Sequence, residues 1–215
     1  MYGDSHSDRL FGGDGNDSLY GGSDRDLLYG DDGDDRIEGG SGYDTASGGI
    51  GNDLLKGDNG NDRLSGNDGD DRLFGGNHND SLYGGSDRDI LYGDSGNDYL
   101  NGGHGSDTLA GGTGKDTFAY THSNQLGDEI TDFSVRDDIF AFSAKGFKGI
   151  TTLGMVSSNM FTIGTSASSS THRFIYHANS GNLFYDSDGI GNSQQINIAE
   201  LSTNLALTNN HFEIV

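Results

Sequence analysis

Residues 12–20 are Gly12-Gly13-Asp14-Gly15-Asn16-Asp17-Ser18-Leu19-Tyr20, one of thirteen nine-residue units that follow one another without a gap from residue 3 to residue 119. Every unit has Gly at its first position and Asp at its sixth. A fixed short period is typical of a solenoid, in which equivalent residues of successive units stack in columns. The sixth positions would then form columns of carboxylates, which need cations. The sequence therefore predicts a metal-binding solenoid.

Within a unit, positions 1 to 6 predict a turn and positions 7 to 9 a very short strand. Position 4 is Gly in nine units, which suits a positive φ, and the exceptions His6, Asp24, His78 and Asp87 are of residue types that tolerate it. Position 8 is Leu, Ile or Phe in every unit except for Ala46. Because side chains alternate along a strand, position 8 should point inward, and the mostly polar positions 7 and 9 outward.

The predicted core is too small to hold the fold by itself. A stretch of about forty residues buries four or five Leu-sized side chains, worth roughly 1.5–3 kcal/mol each. Ordering the backbone costs roughly 1–2 kcal/mol per residue. We therefore expect folding to be coupled to metal binding, and the metal-free chain to be a disordered acidic tract.

The chain is strongly acidic, with 34 acidic and 12 basic residues among 215 and a formal net charge of −22. This charge should repel nucleic acid and anionic membrane surfaces. No stretch approaches the roughly 18 apolar residues of a membrane span, and no N-terminal signal peptide is visible. The chain has no Cys, so any extracellular stability should come from bound metal. We expect neither a nucleic-acid partner nor stable membrane insertion.

The metal should be a hard cation, because the predicted ligands are carboxylate and main-chain carbonyl oxygens. Flexible turns rich in carbonyls favour Ca²⁺, with roughly 6–8 oxygens at about 2.3–2.6 Å, over the stricter octahedral Mg²⁺. Zn²⁺ is not expected without clustered His or Cys.

The pattern G-G-x-G-x-D-x-U-x, with U large and apolar, resembles the RTX (hemolysin-type) calcium-binding repeats of RTX toxins, serralysin-type proteases and alginate epimerase R modules. The resemblance covers 117 consecutive residues. It implies an all-β fold, a parallel β-roll in which two units make one coil, with a C-terminal β-rich cap. Each Ca²⁺ would lie between units n and n+2, so thirteen units give at most eleven ions.

The resemblance also implies a ligand set for each ion: the position 2 and 4 carbonyls and the Asp of the first turn, with the position 1 and 3 carbonyls and the Asp of the second. The implied Asp ligands are Asp8, Asp17, Asp26, Asp35, Asp44, Asp53, Asp62, Asp71, Asp80, Asp89, Asp98, Asp107 and Asp116. The implied carbonyl ligands are those of Gly12, Gly13, Gly15, Gly21, Gly22, Gly30, Asp31, Asp32, Gly33, Gly39, Gly40, Gly42, Gly48, Gly49, Ile50, Gly51, Gly57, Asn59, Gly60, Gly66, Asp68, Gly69, Gly75, Gly76, Asn77, Gly84, Gly85, Gly93, Ser95, Gly96, Gly102, Gly103, His104, Gly105, Gly111 and Thr113. Where another residue replaces the usual Gly, the carbonyl ligand depends on the backbone geometry being kept; these residues are Asp4, His6, Asp24, His78 and Asp87.

A duplication lies inside the array, since residues 12–37 and 75–100 are identical at 19 of 26 positions. The offset of 63 residues is seven units, an odd number, so the two copies should face opposite sides of the roll. Aromatic residues at position 9 should form two outward clusters, one of Phe11, Tyr20 and Tyr29 and one of Phe74, Tyr83 and Tyr92. They either pack over neighbouring strands or form a platform for an anionic polysaccharide, as alginate-binding RTX modules would suggest by analogy.

From residue 120 the register stops and apolar residues become more frequent. Alternation predicts strands at 129–133 and 138–142, and a hairpin joining 174–176 to 183–185. The run Glu129-Ile130-Thr131-Asp132-Phe133 resembles the D-x-I-x-D-F run that follows the last RTX repeat, with Glu129 in place of the first Asp. We assign 1–119 to the β-roll and 120–215 to a capping and secretion-signal region.

Catalytic motifs are not visible: the chain has no H-E-x-x-H, no G-x-S-x-G and no phosphate loop. Acid pairs such as Asp70-Asp71 are expected by chance in so acidic a chain, so they do not predict a glycosidase. Asp186-x-Asp188-Gly189 resembles the start of an EF-hand loop, but Asn197 stands where the last Glu should be, so a turn is expected. We expect no enzyme.

The apolar C-terminal run 212–215 resembles the uncleaved signals of type I secretion substrates. Together with the RTX resemblance, it implies a secreted, extracellular protein of a Gram-negative-type bacterium. The chain would stay unfolded in low cytosolic Ca²⁺ and fold in millimolar Ca²⁺ outside. The expected function is a Ca²⁺-folded module that supports type I secretion and stability of a secreted protein, with the type I apparatus as partner. The alternative is a carbohydrate-binding module on the same scaffold.

Overall fold

The computed structural model describes all 215 residues, and nearly all of its regular structure is β-strand. The strands within the repeats are β1 (Tyr2–Ser5), β2 (Arg9–Asp14), β3 (Ser18–Ser23), β4 (Leu27–Asp32), β5 (Arg36–Ser41), β6 (Thr45–Ile50), β7 (Leu54–Asn59), β8 (Arg63–Asp68), β9 (Arg72–Asn77), β10 (Ser81–Ser86), β11 (Ile90–Ser95), β12 (Tyr99–Gly103), β13 (Thr108–Ala110) and β14 (Thr117–Tyr120). The later elements are β15 (Asp128–Ile130), β16 (Ile139–Phe142), β17 (Gly154–Met155), β18 (Phe161–Ile163), β19 (Phe174–His177), β20 (Asn182–Tyr185), β21 (Ile196–Glu200), the 3₁₀-helix η1 (Asn209–His211) and β22 (Phe212–Ile214).

Odd and even strands of the repeats belong to different sheets. The odd strands β1 to β15 lie side by side in a twelve-stranded sheet, and the even strands β2 to β16 in a ten-stranded sheet. Each strand pairs in parallel with the strand eighteen residues away, as Leu82 does with Leu64. Two units therefore make one coil, and the predicted all-β parallel β-roll is confirmed.

The strands are longer than predicted. The expected three-residue strand is wrong, because most strands contain six residues, covering positions 7 to 9 of one unit and positions 1 to 3 of the next. Main-chain groups at positions 1 to 3 also find partners in the next coil, as Gly76 at position 2 does opposite Asp94. A stack of identical coils also pairs the backbone at positions 1 to 3, so the turn shrinks to positions 4 to 6.

The core is a single column of position-8 side chains from each sheet. Leu19 to Leu109 and Phe118 are almost completely buried at this position, as predicted, whereas Leu10 in the first coil is only partly buried. The column becomes aromatic towards the C-terminus, where Phe140 stacks on Phe212 with ring centroids 5.4 Å apart. The apolar core is thus thin in the repeats and thick in the last hundred residues.

Both sheets continue past the end of the nine-residue register. β13 pairs with β15 and β14 with β16, in the same parallel sense as in the repeats. The predicted hairpin is confirmed, since β19 and β20 are antiparallel with Ile175 opposite Phe184. The segment at Asp186 is a turn as expected, in which its Oδ1 accepts the N–H groups of Asp188 and Gly189.

Candidate metal sites

The position-6 aspartates form two continuous hydrogen-bonded columns, one along each turn edge of the roll. The N–H of each Asp donates to Oδ1 of the Asp eighteen residues later, as from Asp44 to Asp62 and from Asp62 to Asp80. Eleven such bonds measure 2.7–2.9 Å. We call each pair of successive carboxylates in a column a rung.

In twelve of the thirteen aspartates the second carboxylate oxygen is buried and has no hydrogen-bond partner. These buried, unpartnered Oδ2 atoms belong to Asp8, Asp26, Asp35, Asp44, Asp53, Asp62, Asp71, Asp80, Asp89, Asp98, Asp107 and Asp116. From Asp26 onward the whole residue is at most 3% exposed. A buried anionic oxygen without a partner is costly, so the columns fit a cation placed against them.

The pKa values of the column aspartates are raised, which reflects the same energetic cost of burying a carboxylate. Burial, partly offset by the main-chain hydrogen bond, raises the pKa of Asp62 to about 6 and that of Asp71 to about 7. In the middle of the array it raises the pKa of Asp80 and Asp89 to about 8, with smaller contributions from neighbouring carboxylates. Without a cation, Asp80 and Asp89 would be mostly protonated at neutral pH.

Glycine at position 1 leaves a space that two oxygens line. A methyl group at Gly75 would lie 2.5 Å from Asp80 Oδ2 and 2.8 Å from the carbonyl oxygen of Gly93, which is position 1 of unit n+2. Positions 6, 8 and 1 all point inward, so any side chain at position 1 would displace the carboxylate. The sequence interpretation placed position 1 in a turn and missed this role, although its invariance was the available signal.

The turns keep their geometry where glycine is replaced. Position 4 has positive φ at all four exceptions, between 73° at Asp87 and 81° at His6 and His78. Position 2 also has positive φ, which the sequence interpretation did not anticipate; it is 69° at Asp4. The main-chain direction that the predicted carbonyl ligands require is therefore retained in these units.

The predicted position-3 carbonyls already accept one hydrogen bond. The N–H of Gly15 donates to the Asp32 carbonyl at 2.6 Å, and that of Gly33 to the Ile50 carbonyl at 2.7 Å. A carbonyl oxygen has two lone pairs, so one remains for a cation. No group of three or more His, Asp or Glu side chains converges on one point, so the columns offer one carboxylate per turn and main-chain oxygens for the rest.

A second polar column, which the sequence interpretation missed, runs along position 5. The N–H at position 5 donates to the Asn or Asp side chain at position 5 of unit n−2, as from Asn52 to Asp34 and from Asn97 to Asn79. These bonds run in the opposite direction to those of the rungs. Where position 5 is Asn or Asp, successive turns are thus joined by two side-chain bonds of opposite sense.

A family model describes most of the repeat region. The model of the RTX calcium-binding nonapeptide repeat matches four times, at residues 2–37, 29–64, 56–91 and 83–118. The chain belongs to the RTX calcium-binding nonapeptide repeat family. The RTX repeat region is a structural calcium-binding module, so membership of the family implies the predicted metal, Ca²⁺.

Two solved structures are similar to the RTX chain. The AlgE6R3 subunit of the mannuronan C5-epimerase from Azotobacter vinelandii is 26% identical, over 66% of this chain and 77% of that one, with a TM-score of 0.45. The extracellular lipase LipA from Serratia marcescens is 18% identical, over 99% of this chain and 41% of that one, with a TM-score of 0.33. No curated protein sequence matches significantly.

The outward aromatic residues form pairs on both sheets of the RTX roll. Phe11 stacks on Tyr29 in the ten-stranded sheet and Phe74 on Tyr92 in the twelve-stranded sheet, each with centroids 5.2 Å apart. The two copies of the duplication therefore face opposite sides, as predicted. The predicted trios are wrong, because successive units alternate between sheets: Tyr20 stacks on Tyr2, and Tyr83 packs against Tyr99.

Proposed function

We propose that Ca²⁺ ions lie in the rungs of the two aspartate columns and that their binding drives folding of the repeats. The observation that carries the proposal is the set of twelve buried, unpartnered Oδ2 atoms. The ligands would be the thirteen position-6 aspartates and the main-chain carbonyls of positions 1 to 4 identified from the sequence. Thirteen units then supply up to eleven ions.

Electrostatics supports ion binding along the whole array rather than at one strong site. Residues 1–119 hold 25 acidic and 8 basic side chains, a formal charge of −17 that is spread over successive turns, and each rung brings two carboxylates together. An isolated column of this kind repels itself, because each carboxylate has a like charge on either side. A divalent cation between every two turns removes that repulsion and leaves the coils free to stack.

Folding would follow the calcium concentration because the apolar core of the repeats is one side chain per unit. This supports an extracellular role, in which the chain is unfolded in the cytosol, passes a type I exporter and folds in millimolar Ca²⁺. The module would then stabilise the secreted protein without catalysing a reaction. No helix of the structure has the length and hydropathy needed to cross a membrane.

Circular dichroism during a calcium titration tests the folding proposal. We expect little β-structure in chelator and a cooperative gain of β-signal as Ca²⁺ reaches the millimolar range, with a much smaller gain in equal Mg²⁺. Equal β-content in chelator and in calcium would contradict it. Export is tested separately, by expressing the chain with and without a type I exporter; equal amounts in the medium would contradict that role.

A second candidate function is binding of an anionic polysaccharide on the outer faces, and the stacked aromatic pairs favour it. Phe11 is 52% exposed, and the Arg63 guanidinium lies 4.2 Å from the ring centroid of Tyr83. Aromatic faces beside arginines suit sugar rings that carry carboxylates. Calorimetry of the calcium-loaded chain with alginate tests this proposal. We expect Tyr83→Ala to weaken binding, and no heat from the parent chain would end it.

A further inference from the structure

Both aspartate columns extend beyond the nonapeptides. The N–H of Asp107 donates to Asp128 Oδ1 at 3.1 Å, and the N–H of Asp116 donates to Asp138 Oδ1 at 3.0 Å. The spacings are 21 and 22 residues rather than 18, so the nine-residue register does not reveal either carboxylate. The parallel register nevertheless places Glu129 opposite Thr108. Asp128, not Glu129, is therefore the first Asp of the D-x-I-x-D-F run.

The first carboxylate of each pair has the same oxygen environment as in the repeat rungs. Asp107 and Asp116 are each 1% exposed and keep an unpartnered, buried Oδ2. The carboxylates that follow them, Asp128 and Asp138, are 1% and 3% exposed. Four buried carboxylates thus form two further pairs, each with an oxygen that no protein donor satisfies.

The first turn of each pair has the same backbone as a repeat turn. Positions 2 and 4 of unit 12 are Gly103 and Gly105, with φ of 102° and 145°, and unit 13 has Gly112 and Gly114 at 91° and 135°. These are the positions whose carbonyls serve as ligands in the proposed repeat sites. One half of each further site is therefore complete.

The second half of each pair differs from a repeat turn and is still polar. The hydroxyl of Tyr120, a residue that is 2% exposed, lies near Asp128 and interacts favourably with its carboxylate, although the two groups do not reach hydrogen-bond geometry. Beside Asp116 lie Asp132 and Asp137, which add negative charge at the other edge. The oxygens of Asp132 accept the N–H groups of Gly111 and Gly112, and Asp138 Oδ2 accepts that of Ser134 at 2.8 Å. The oxygen without a donor is therefore Asp116 Oδ2 in one pair and Asp107 Oδ2 in the other.

We infer that each turn edge binds one Ca²⁺ more than the nonapeptides provide, between Asp107 and Asp128 on one edge and between Asp116 and Asp138 on the other. The inference rests on the proposed function, since it extends the same ligand chemistry by one rung per edge. The capacity of the chain becomes thirteen ions, eleven in the repeats and two beyond them. The segment after residue 119 is then part of the calcium-binding structure.

The test counts Ca²⁺ bound per chain at saturation, by equilibrium dialysis of the full chain. Asp128→Asn and Asp138→Asn should each lower the count by one, from thirteen to twelve, because Asn keeps the Oδ1 acceptor and loses the charge. Glu129→Gln is the matched control: it removes an exposed charge one residue away and should leave the count unchanged. Circular dichroism in calcium checks that every variant is folded.

The positive control separates this inference from the proposed function. Asp62→Asn lies inside the repeats and should lower the count in any case. If it does so while Asp128→Asn and Asp138→Asn do not, the further sites are refuted and the repeat sites stand. That outcome would mean that the Tyr120 hydroxyl donates to Asp128 and satisfies its carboxylate without metal.

Should a variant fail to fold, an anomalous difference map of calcium-grown parent crystals decides. The absence of a peak between Asp107 and Asp128, or between Asp116 and Asp138, overturns the inference for that pair.

Discussion

Replacing Asp62 by Asn should destabilise the calcium-loaded roll by an amount that grows with calcium concentration. Asp62 belongs to two rungs, because its Oδ1 accepts the N–H of Asp44 and its own N–H donates to Asp80, both at 2.7 Å. Asn retains the size and the Oδ1 acceptor and removes the charge from both rungs. Two ions should therefore bind more weakly or not at all.

The magnitude follows from mass action. Near saturation, each bound ion makes the free energy of unfolding rise by about 1.4 kcal/mol per tenfold increase in free Ca²⁺. Loss of two ions should thus widen the difference between parent and variant by about 2.8 kcal/mol between 1 and 10 mM Ca²⁺. In the metal-free roll the sign reverses, because burial raises the pKa of Asp62 to about 6 and Asn relieves that buried charge.

The assay is urea unfolding followed by circular dichroism at several calcium concentrations, with ionic strength held constant. Asp14→Asn serves as the control, since Asp14 is an exposed position-3 side chain outside the columns. It should shift the free energy of unfolding by less than about 0.5 kcal/mol at every calcium concentration. A difference between parent and Asp62→Asn that stays constant from 1 to 10 mM Ca²⁺ would refute the reasoning.

Three further predictions concern the glycine space, the core and pH. Gly75→Ala should cost about 1–3 kcal/mol in calcium, because its methyl would meet a carboxylate oxygen at 2.5 Å; urea unfolding measures it, and Gly164→Ala, whose nearest atom is at 3.9 Å, should be nearly neutral. Leu64→Ala removes a completely buried side chain and should cost about 2–5 kcal/mol in thermal unfolding, and a loss below 1 kcal/mol would contradict the single-column core. In chelator, β-content should be greater at pH 5 than at pH 8: burial raises the pKa of Asp80 and Asp89 from 3.8 to about 8, so the folded form binds the extra protons in that window and loses stability as pH rises through it. Calcium affinity should change in the opposite direction, increasing from pH 5 to pH 8 with proton release.

The nine-residue period was enough to predict a solenoid with stacked aspartates, and the resemblance to RTX repeats implied the roll and its two edges. A strict repeat makes every contact recur, so a single unit describes most of the structure. Strand length was mispredicted because the main chain at positions 1 to 3 gains its partners from the neighbouring coils, which the local pattern does not show. The inward direction of position 1 follows from those longer strands, since it comes two residues after position 8.

The nine-residue period could not reveal the column carboxylates that follow the last repeat. Asp128 and Asp138 enter the columns after loops of irregular length, so only the sheet register brings them into line with Asp107 and Asp116. The aromatic clusters were misassigned for a related reason. Phe11 and Tyr20 are neighbours in units along the chain, yet consecutive units lie on opposite sheets.

The eighteen-residue coil has a consequence for changes in length. Insertion or loss of one whole coil would translate the first units along the roll axis and leave every face where it was. Insertion or loss of nine residues would instead turn them by half a revolution relative to residues 120–215. The offset of 63 residues between the copies is three and a half coils, which is why Phe11 and Phe74 face opposite ways. Recombination between the near-identical units can therefore have two results. Gain or loss of whole coils changes only the length of the roll, whereas gain or loss of an odd number of units also turns its first part by half a revolution.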